Sequence, residues 1–214
     1  MGETAPKPMR ADARRNYDRL LNEARTAFAE RGIESSLEDV ARHAGVGIGT
    51  LYRHFPTRDS LLEALLRERF DELKAKGQSM LDRPPGRTVL IDWARSFIEI
   101  STTYPGLTAA LTTTLRDETS DLHASCTAMR KAGTALLTQA QEAGEIRADI
   151  DAMEFFALVH GVTWGNEKAF GGDPGHLDRL LGMVLDGLTP AAALSSEGGP
   201  PPGHGTPARH AAHP

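Results

Sequence analysis

The 214-residue sequence contains a single cysteine, Cys126, and no apolar run long enough to cross a bilayer. One cysteine cannot form an internal disulfide framework, and a membrane-spanning helix needs about 18 consecutive apolar residues. The N-terminal residues also lack the apolar centre of a secretory signal. These absences predict a cytoplasmic protein without a membrane partner, in which Cys126 is a small packing residue.

The sequence also lacks the motifs that identify common enzyme classes. It has no nucleophile elbow, Walker loop, HExxH pair or dinucleotide fingerprint, and its Glu- and His-containing segments lack the spacing of a metal site in a helical bundle. Three histidines near the C-terminus are too loosely spaced to form a defined metal site: His204, His210 and His213. We therefore predict a protein that is not an enzyme and needs neither a cofactor nor a metal.

What the sequence does contain is a helical pattern. Apolar residues recur at intervals of three and four, as in Leu61, Leu62, Leu65 and Leu66, and no convincing two-residue alternation appears. Glycines and prolines interrupt this pattern and divide the chain into about nine helices. The predicted fold class is all-α.

Both ends of the chain differ from this pattern. Residues 1–13 are polar and contain two prolines, and residues 190–214 are rich in Pro, Gly, Ala and His. Neither segment can bury enough apolar surface to offset the entropy lost on ordering, so both are predicted to be disordered. The first helix is accordingly predicted over about Asn16–Arg31.

The next residues predict a helix-turn-helix. Ser36 precedes an apolar-periodic segment and Asp39 follows three residues later, so the serine hydroxyl can cap a second helix, which ends at Gly45. A third helix, Ile48–His54, ends before Pro56, which cannot continue it. Two short helices joined by a glycine-containing turn are typical of this motif. The predicted core positions are Leu37, Val40, Ala41, Val46, Leu51 and Phe55.

This motif is basic, although the whole chain carries a formal charge of −5. Residues 40–58 contain three arginines and no acid, whereas residues 61–214 contain 14 basic and 20 acidic residues, a formal charge of −6. With the core positions buried, the outer face of the third helix is polar, aromatic and cationic. Such segregation suits a DNA duplex, because phosphate contacts supply much of the affinity of DNA-binding proteins.

The stretch SSLEDVARHAGVGIGTLYRHFPTRDSLLEALL resembles the DNA-binding signature of the TetR/AcrR family of transcriptional regulators. The likeness lies in the V-A-x-x-A-G-V core, the T-L-Y-x-H-F recognition helix and the capped start of the fourth helix, and it covers about residues 14–66. It implies a helix-turn-helix domain at 14–60 and a helical effector-binding and dimerisation domain at 61–189. It further implies a ligand-responsive repressor that binds a palindromic operator in double-stranded DNA as a homodimer.

The resemblance also implies which residues contact DNA. They are Ser36, Ile48, Gly49, Thr50, Tyr52, Arg53, His54 and Arg58. Many family members have a polar side chain early in the recognition helix, but this sequence has Gly47, Ile48 and Gly49, which cannot form a bidentate pair with a base edge. Base readout then depends on thymine methyl contacts from Ile48 and on DNA shape.

Some of these assignments have alternatives. Tyr52 could pack against the first helix, and His54 could simply cap the third. The basic residues near the N-terminus could form either a solvated tail or an arm that contacts DNA. They are Lys7, Arg10, Arg14 and Arg15.

In the second domain, large apolar residues suggest an effector pocket for a small, largely apolar ligand. The candidates are Trp93, Phe97, Leu111, Leu115, Met129 and Phe156. Packing in the core is the alternative for each of them. The last two helices are predicted to form the homodimer interface, because Gly161 and Gly165, four residues apart, leave one helix face bare. The predicted interface residues are Gly161, Gly165, Leu181, Val184 and Leu188, with packing inside the subunit as the alternative.

Two other function classes remain as alternatives to a DNA-binding regulator. An enzyme is disfavoured by the missing motifs. A helical adaptor or sensor whose helix-turn-helix no longer binds DNA is disfavoured by the acid-free segment 40–58.

Overall fold

A computed structural model describes residues 8–104 and 106–190, and within these ranges the chain forms ten helical segments and no strand. Two of the segments, α6 and α7, are only four and five residues long. The prediction of an all-α fold with about nine helices is confirmed. The helices are α1 (Pro8–Arg31), α2 (Leu37–His43), α3 (Ile48–His54), α4 (Arg58–Met80), α5 (Arg87–Thr103), α6 (Leu107–Ala110), α7 (Thr112–Arg116), α8 (Asp121–Glu142), α9 (Ala152–Phe170) and α10 (Pro174–Gly187).

The helix-turn-helix forms as predicted. The Ser36 hydroxyl accepts a hydrogen bond from the Asp39 amide at 3.2 Å and caps α2. Gly45, with φ +70°, takes the left-handed conformation in the turn between α2 and α3. Five of the six predicted core positions are buried, and Val46 is partly buried against the same cluster.

The start of α1 differs from the prediction. The helix begins at Pro8 rather than near Asn16, so residues 8–13 of the predicted disordered arm are helical. Proline is well tolerated at the first helical position, and two side-chain ion pairs support the following turns: Arg14 with Asp18, and Arg15 with Asp12. Residues 1–7 and 191–214, the rest of both segments predicted to be disordered, lie outside the described residues, as do Lys7 and the three C-terminal histidines.

Helix α4 belongs to both halves of the molecule. It starts at a capping box in which the Thr57 hydroxyl accepts from the Ser60 amide at 3.0 Å and the Ser60 hydroxyl accepts from the Thr57 amide at 3.1 Å. At about 1.5 Å per residue it is roughly 35 Å long. Its sides pack on α1 and on α5 and α8. The proposed domain boundary between residues 60 and 61 therefore falls inside one continuous helix.

Trp93 of α5 is fully buried at the centre of the bundle. Its indole N–H donates to the Leu73 carbonyl at 3.2 Å. A Cβ atom at Gly77 of α4 would lie 2.8 Å from the indole nitrogen, and one at Gly133 of α8 would overlap the ring itself. The two glycines therefore form a slot that lets α4 and α8 close around the indole. None of the described helices is long and apolar enough to cross a membrane.

Candidate nucleic-acid interface and ligand cavity

The outer face of α3 carries the residues that the sequence assigns to DNA contact. Ile48 and Arg53 are exposed, Thr50 is half-buried, and the side chain of Tyr52 is 44% exposed. A Cβ atom at Gly49 would meet nothing within 4 Å, so the backbone there is open to close approach. Tyr52 makes no ring contact with the first helix among the described residues, which favours the DNA-contact interpretation over packing against that helix.

The aromatic residue that packs between α1 and the end of α3 is Tyr17 of α1. Its ring centroid lies 5.0 Å from that of Phe55 and 6.1 Å from that of His54. His54 is half-buried beside it, and the C-cap of α3 is Phe55, whose amide bonds to the Leu51 carbonyl at 2.8 Å. Sequence reasoning missed Tyr17. The four-residue spacing between Tyr17 and Leu21 is the pattern that could have placed Tyr17 on the buried face of α1.

The predicted charge of this face is reduced by contacts within the protein. Arg42 pairs with Asp39 one turn earlier in α2. Arg53 is exposed and makes no ion pair in the part of the chain that the structure describes. Its guanidinium is therefore available to a phosphate without first breaking a salt bridge.

In the free protein Arg58 makes contacts that the resemblance does not imply. Its Nη1 donates to the backbone carbonyls of Ile33 at 2.7 Å and Ser35 at 2.8 Å. These bonds tie the first residue of α4 to the loop that ends at Ser36, which is itself exposed. Within the free protein Arg58 is a positioning residue for this loop, and a phosphate would have to compete with two carbonyls for it.

A cavity of about 320 Å³ lies in the bundle, within the lower part of the range typical of ligand pockets. Its lining residues are Phe70, Phe97, Ile100, Leu115, Cys126, Met129, Arg130, Phe156, Ala157 and His160. Four of the six predicted pocket residues are among them. The cavity is largely apolar, with a guanidinium and an imidazole as its charged or titratable nitrogen groups.

Trp93 and Leu111, the other two predicted pocket residues, are buried and do not line this cavity. Trp93 lies behind Phe97, with the two rings stacked at 5.9 Å between centroids, because the glycine slot holds the indole between helices. Sequence reasoning missed Phe70, Arg130 and His160. Which helix face meets the cavity depends on packing that the helical period alone does not specify.

Cys126 also lines the cavity and is partly buried. Burial raises the pKa of its thiol, and the positive charge of Arg130 opposes that rise. The thiol is therefore neutral at pH 7, in keeping with the predicted packing role.

Helices α9 and α10 carry a surface of a different kind. They expose five large apolar side chains: Met153, Leu158, Trp164, Phe170 and Met183. An open groove of about 820 Å³ on the same helices is lined in part by Leu158, Gly161, Gly165 and Val184, with the charged Arg147, Asp149 and Glu154 also in its lining. A Cβ atom at either glycine would meet nothing within 4 Å, so these glycines are not needed for packing inside the subunit.

Leu181 and Leu188 correct part of the predicted interface. Both are buried in the subunit's own core, at 1% and 6% exposure. Leu181 lies on the side of α10 that faces the rest of the chain, and Leu188 directly follows the helix. Neither can contact a second copy directly, although both can support the residues that do. The three other predicted residues, Gly161, Gly165 and Val184, all line the open groove.

Comparisons with known proteins agree with this geometry. Residues 20–65 match the family model described as bacterial regulatory proteins, tetR family, and residues 84–190 match the C-terminal domain of SbtR-like transcriptional regulators. The crystal structure of a TetR transcriptional regulator from Streptomyces coelicolor is 36% identical, covers 82% of this chain and 99% of that chain, and has a TM-score of 0.63. A TetR regulatory protein from Mycobacterium vanbaalenii is 30% identical over 85% of this chain and 99% of that chain, with a TM-score of 0.61.

Two curated relatives match different lengths of the chain. The transcriptional repressor KstR2 of Mycolicibacterium smegmatis is 39% identical over 66 residues, which span 30% of this chain and 32% of that relative. KstR2 of Rhodococcus jostii is 28% identical over 190 residues, 79% of this chain and 89% of the relative.

Proposed function

The chain belongs to the tetR family of bacterial transcriptional regulators and has the helix-turn-helix domain of that family, and from this premise we propose that it is a ligand-responsive repressor that binds a palindromic operator as a homodimer. The observation that carries the proposal is the exposed face of α3, where Tyr52 and Arg53 project to solvent beside an open glycine backbone.

In this proposal α3 lies in the major groove. Tyr52 and Arg53 bind phosphates, while Thr50 and the methyl groups of Ile48 approach base edges. The bare backbone at Gly49 lets the helix approach the duplex closely. Ser36 binds a phosphate from the exposed N-terminus of α2, and His54 supports the end of α3.

The homodimer forms through α9 and α10. These two helices expose five large apolar side chains, among them Trp164 at 60% exposure and Met183 at 54%, and burial of such side chains against a second copy would remove them from water. The open faces at Gly161 and Gly165 allow the same helices of a second copy to approach closely. Two recognition helices related by a two-fold axis then read two halves of a palindrome.

Ligand response follows from the position of Phe70. This residue of α4 lines the cavity and lies twelve residues from Arg58, about 18 Å along the helix. A ligand that displaces Phe70 moves α4, and the bonds from Arg58 to Ile33 and Ser35 carry that movement to the start of α2. Ligand and operator are then antagonists, and each weakens the other by the same factor.

Selection of bound duplexes from a random DNA pool tests the proposal. We expect enrichment of a two-fold symmetric sequence whose half-sites are about one helical turn apart. A double variant, Tyr52→Ala with Arg53→Ala, is the matched control, since both side chains are exposed and their loss leaves the core intact. Failure of the wild-type protein to enrich any sequence beyond this control would favour the adaptor function instead.

A further inference from the structure

Arg130 differs from the other half-buried arginines of the described chain. The half-buried arginines of the described residues number six: Arg25, Arg58, Arg67, Arg69, Arg87 and Arg130. The first five donate to an oxygen atom of a carboxylate or a backbone carbonyl. The guanidinium of Arg130 contacts the sulfur of Met153 and lies over the ring of Phe156, 5.4 Å from its centroid.

Arg130 makes no ion pair with any residue that the structure describes. It lines the cavity together with nine other residues, none of which is Asp or Glu. Its contact with Met153 lies at the surface, so water still reaches the guanidinium, and an anion can bind it without first breaking an ion pair. The ring face of Phe156 beneath it adds a cation–π contact, which favours the charged guanidinium at this position. Apart from the sulfur of Met153, no acceptor among the described residues binds the guanidinium donors of Arg130.

His160 adds a second nitrogen group to the same cavity. Its side chain is exposed and has no hydrogen-bond partner within the described residues. The apolar wall around these two groups is formed by Phe97, Met129 and Phe156. The cavity thus combines an apolar body with a cationic, donor-rich group.

We infer that the ligand of this cavity is an amphipathic carboxylate, whose apolar body packs against Phe97, Met129 and Phe156 and whose carboxylate binds Arg130. The planar guanidinium matches a carboxylate through two parallel hydrogen bonds. One cation in a cavity of about 320 Å³ suits a singly charged head group better than a phosphate dianion. This inference rests on the proposed function, because it assumes that the cavity is the effector site.

Calorimetric titration of the full chain with four probes tests the inference. The probes are decanoate, 1-decanol, 4-butylbenzoate and 4-butylbenzyl alcohol. We expect at least one carboxylate to bind about tenfold or more tightly than its alcohol, the effect of one charge-assisted hydrogen bond at a partly buried site. Arg130→Gln should remove this preference while the affinity for the alcohol stays the same.

Arg19→Gln is the control, because Arg19 is exposed on α1 and does not line the cavity. It should leave the carboxylate preference intact. Equal affinity for each acid and its alcohol, a preference that survives in Arg130→Gln, or no binding of any probe would overturn the inference.

Release of operator DNA, measured separately by fluorescence anisotropy, distinguishes this inference from the proposed function. Carboxylate binding that depends on Arg130 but leaves the operator complex unchanged would support the anion site and contradict the ligand-responsive function. A protein that binds no operator at all would contradict the proposed function, and the calorimetric preference would still decide the inference.

Discussion

The two ends of the molecule expose different chemistry. The outer face of α3 presents a hydroxyl-bearing aromatic residue, a free guanidinium and bare backbone, at Tyr52, Arg53 and Gly49. Helices α9 and α10 expose the apolar side chains of Trp164 and Met183, and the same two helices carry the open groove lined by Gly161, Gly165 and Val184. The first is suited to phosphates, which demand charge and hydrogen bonds. The second is suited to another apolar protein surface, where removal from water supplies the free energy.

Glycines serve opposite purposes at different places in this chain. At Gly161 and Gly165 a side chain would meet nothing, so the space is kept for something outside the subunit. At Gly77 and Gly133 a side chain would meet Trp93, so the space is already filled from within. Substitution at the two kinds of position should therefore have separable effects on assembly and on stability.

The largest expected effect is on assembly. Val184→Asp places a charge in the groove, and Gly161→Leu fills it, while the open space around Gly161 means that the subunit itself tolerates the larger side chain. Each change should weaken the dimer by about 2 kcal/mol or more, the loss typical of a residue central to an interface. Sedimentation equilibrium over a range of concentrations measures this.

Ala124→Leu is the matched control for these variants, because Ala124 is exposed on α8. It should sediment like the wild-type protein. Unchanged dimers of both Val184→Asp and Gly161→Leu would place the interface on another surface.

The next effect concerns the slot around Trp93. Gly133→Ala should lower the free energy of unfolding by about 1–3 kcal/mol, because the added methyl group overlaps the buried indole. Gly182→Ala on α10, where a Cβ atom meets nothing within 4 Å, should be neutral or raise it by about 0.5–1 kcal/mol. Urea denaturation of both variants measures the difference. Equal stabilities would mean that the slot around Trp93 has room for the added methyl group.

The salt dependence of DNA binding should distinguish the roles of Arg53 and Arg58, the two arginines near the proposed DNA-binding face. With about four phosphates neutralised per subunit, the dimer should show a log–log slope of affinity against salt near −7. Arg53→Ala should reduce the magnitude of this slope by about 2, one phosphate for each subunit, and leave the melting temperature unchanged.

Arg58→Ala should instead lower the melting temperature, because the Ile33 and Ser35 carbonyls lose their donor, and should change the slope less than Arg53→Ala does. Anisotropy titrations at several salt concentrations, with thermal melts of each variant, measure both quantities. A larger loss of slope in Arg58→Ala would show that Arg58 leaves its carbonyl partners and binds a phosphate directly.

The smallest expected effect concerns Cys126. Because burial raises the pKa of its thiol, the folded protein holds less thiolate at pH 8 than an unperturbed cysteine would. Reaction with a thiol-specific disulfide reagent at pH 8 should therefore be slower in the folded chain than in the chain unfolded in guanidinium chloride. Equal rates would indicate that the cavity is freely open to solvent.

The sequence predicted those features that depend on neighbouring residues. The Ser36 cap, the bounds of α3 and the end of α3 before Pro56 all rest on interactions within a few positions, and each is confirmed. The exposure of Tyr52 followed from the same helical period that buried Leu51.

Features that depend on distant residues were not predictable in this way. The carbonyl partners of Arg58 lie 23 and 25 residues away, and the glycine slot of Trp93 joins three different helices. The burial of Leu181 and Leu188 was also not predictable, because it depends on the contacts that other parts of the chain make with them. The placement of Arg130 in the cavity is a further case.

Sedimentation velocity of a fluorescently labelled operator duplex with the full chain measures DNA binding and assembly together. If α3 binds DNA and α9–α10 joins two copies, the labelled complex should contain two chains per duplex, and Val184→Asp should shift it to free duplex at the same protein concentration. One chain per duplex in the wild-type protein, or a two-chain complex that is unchanged by Val184→Asp, would contradict the account.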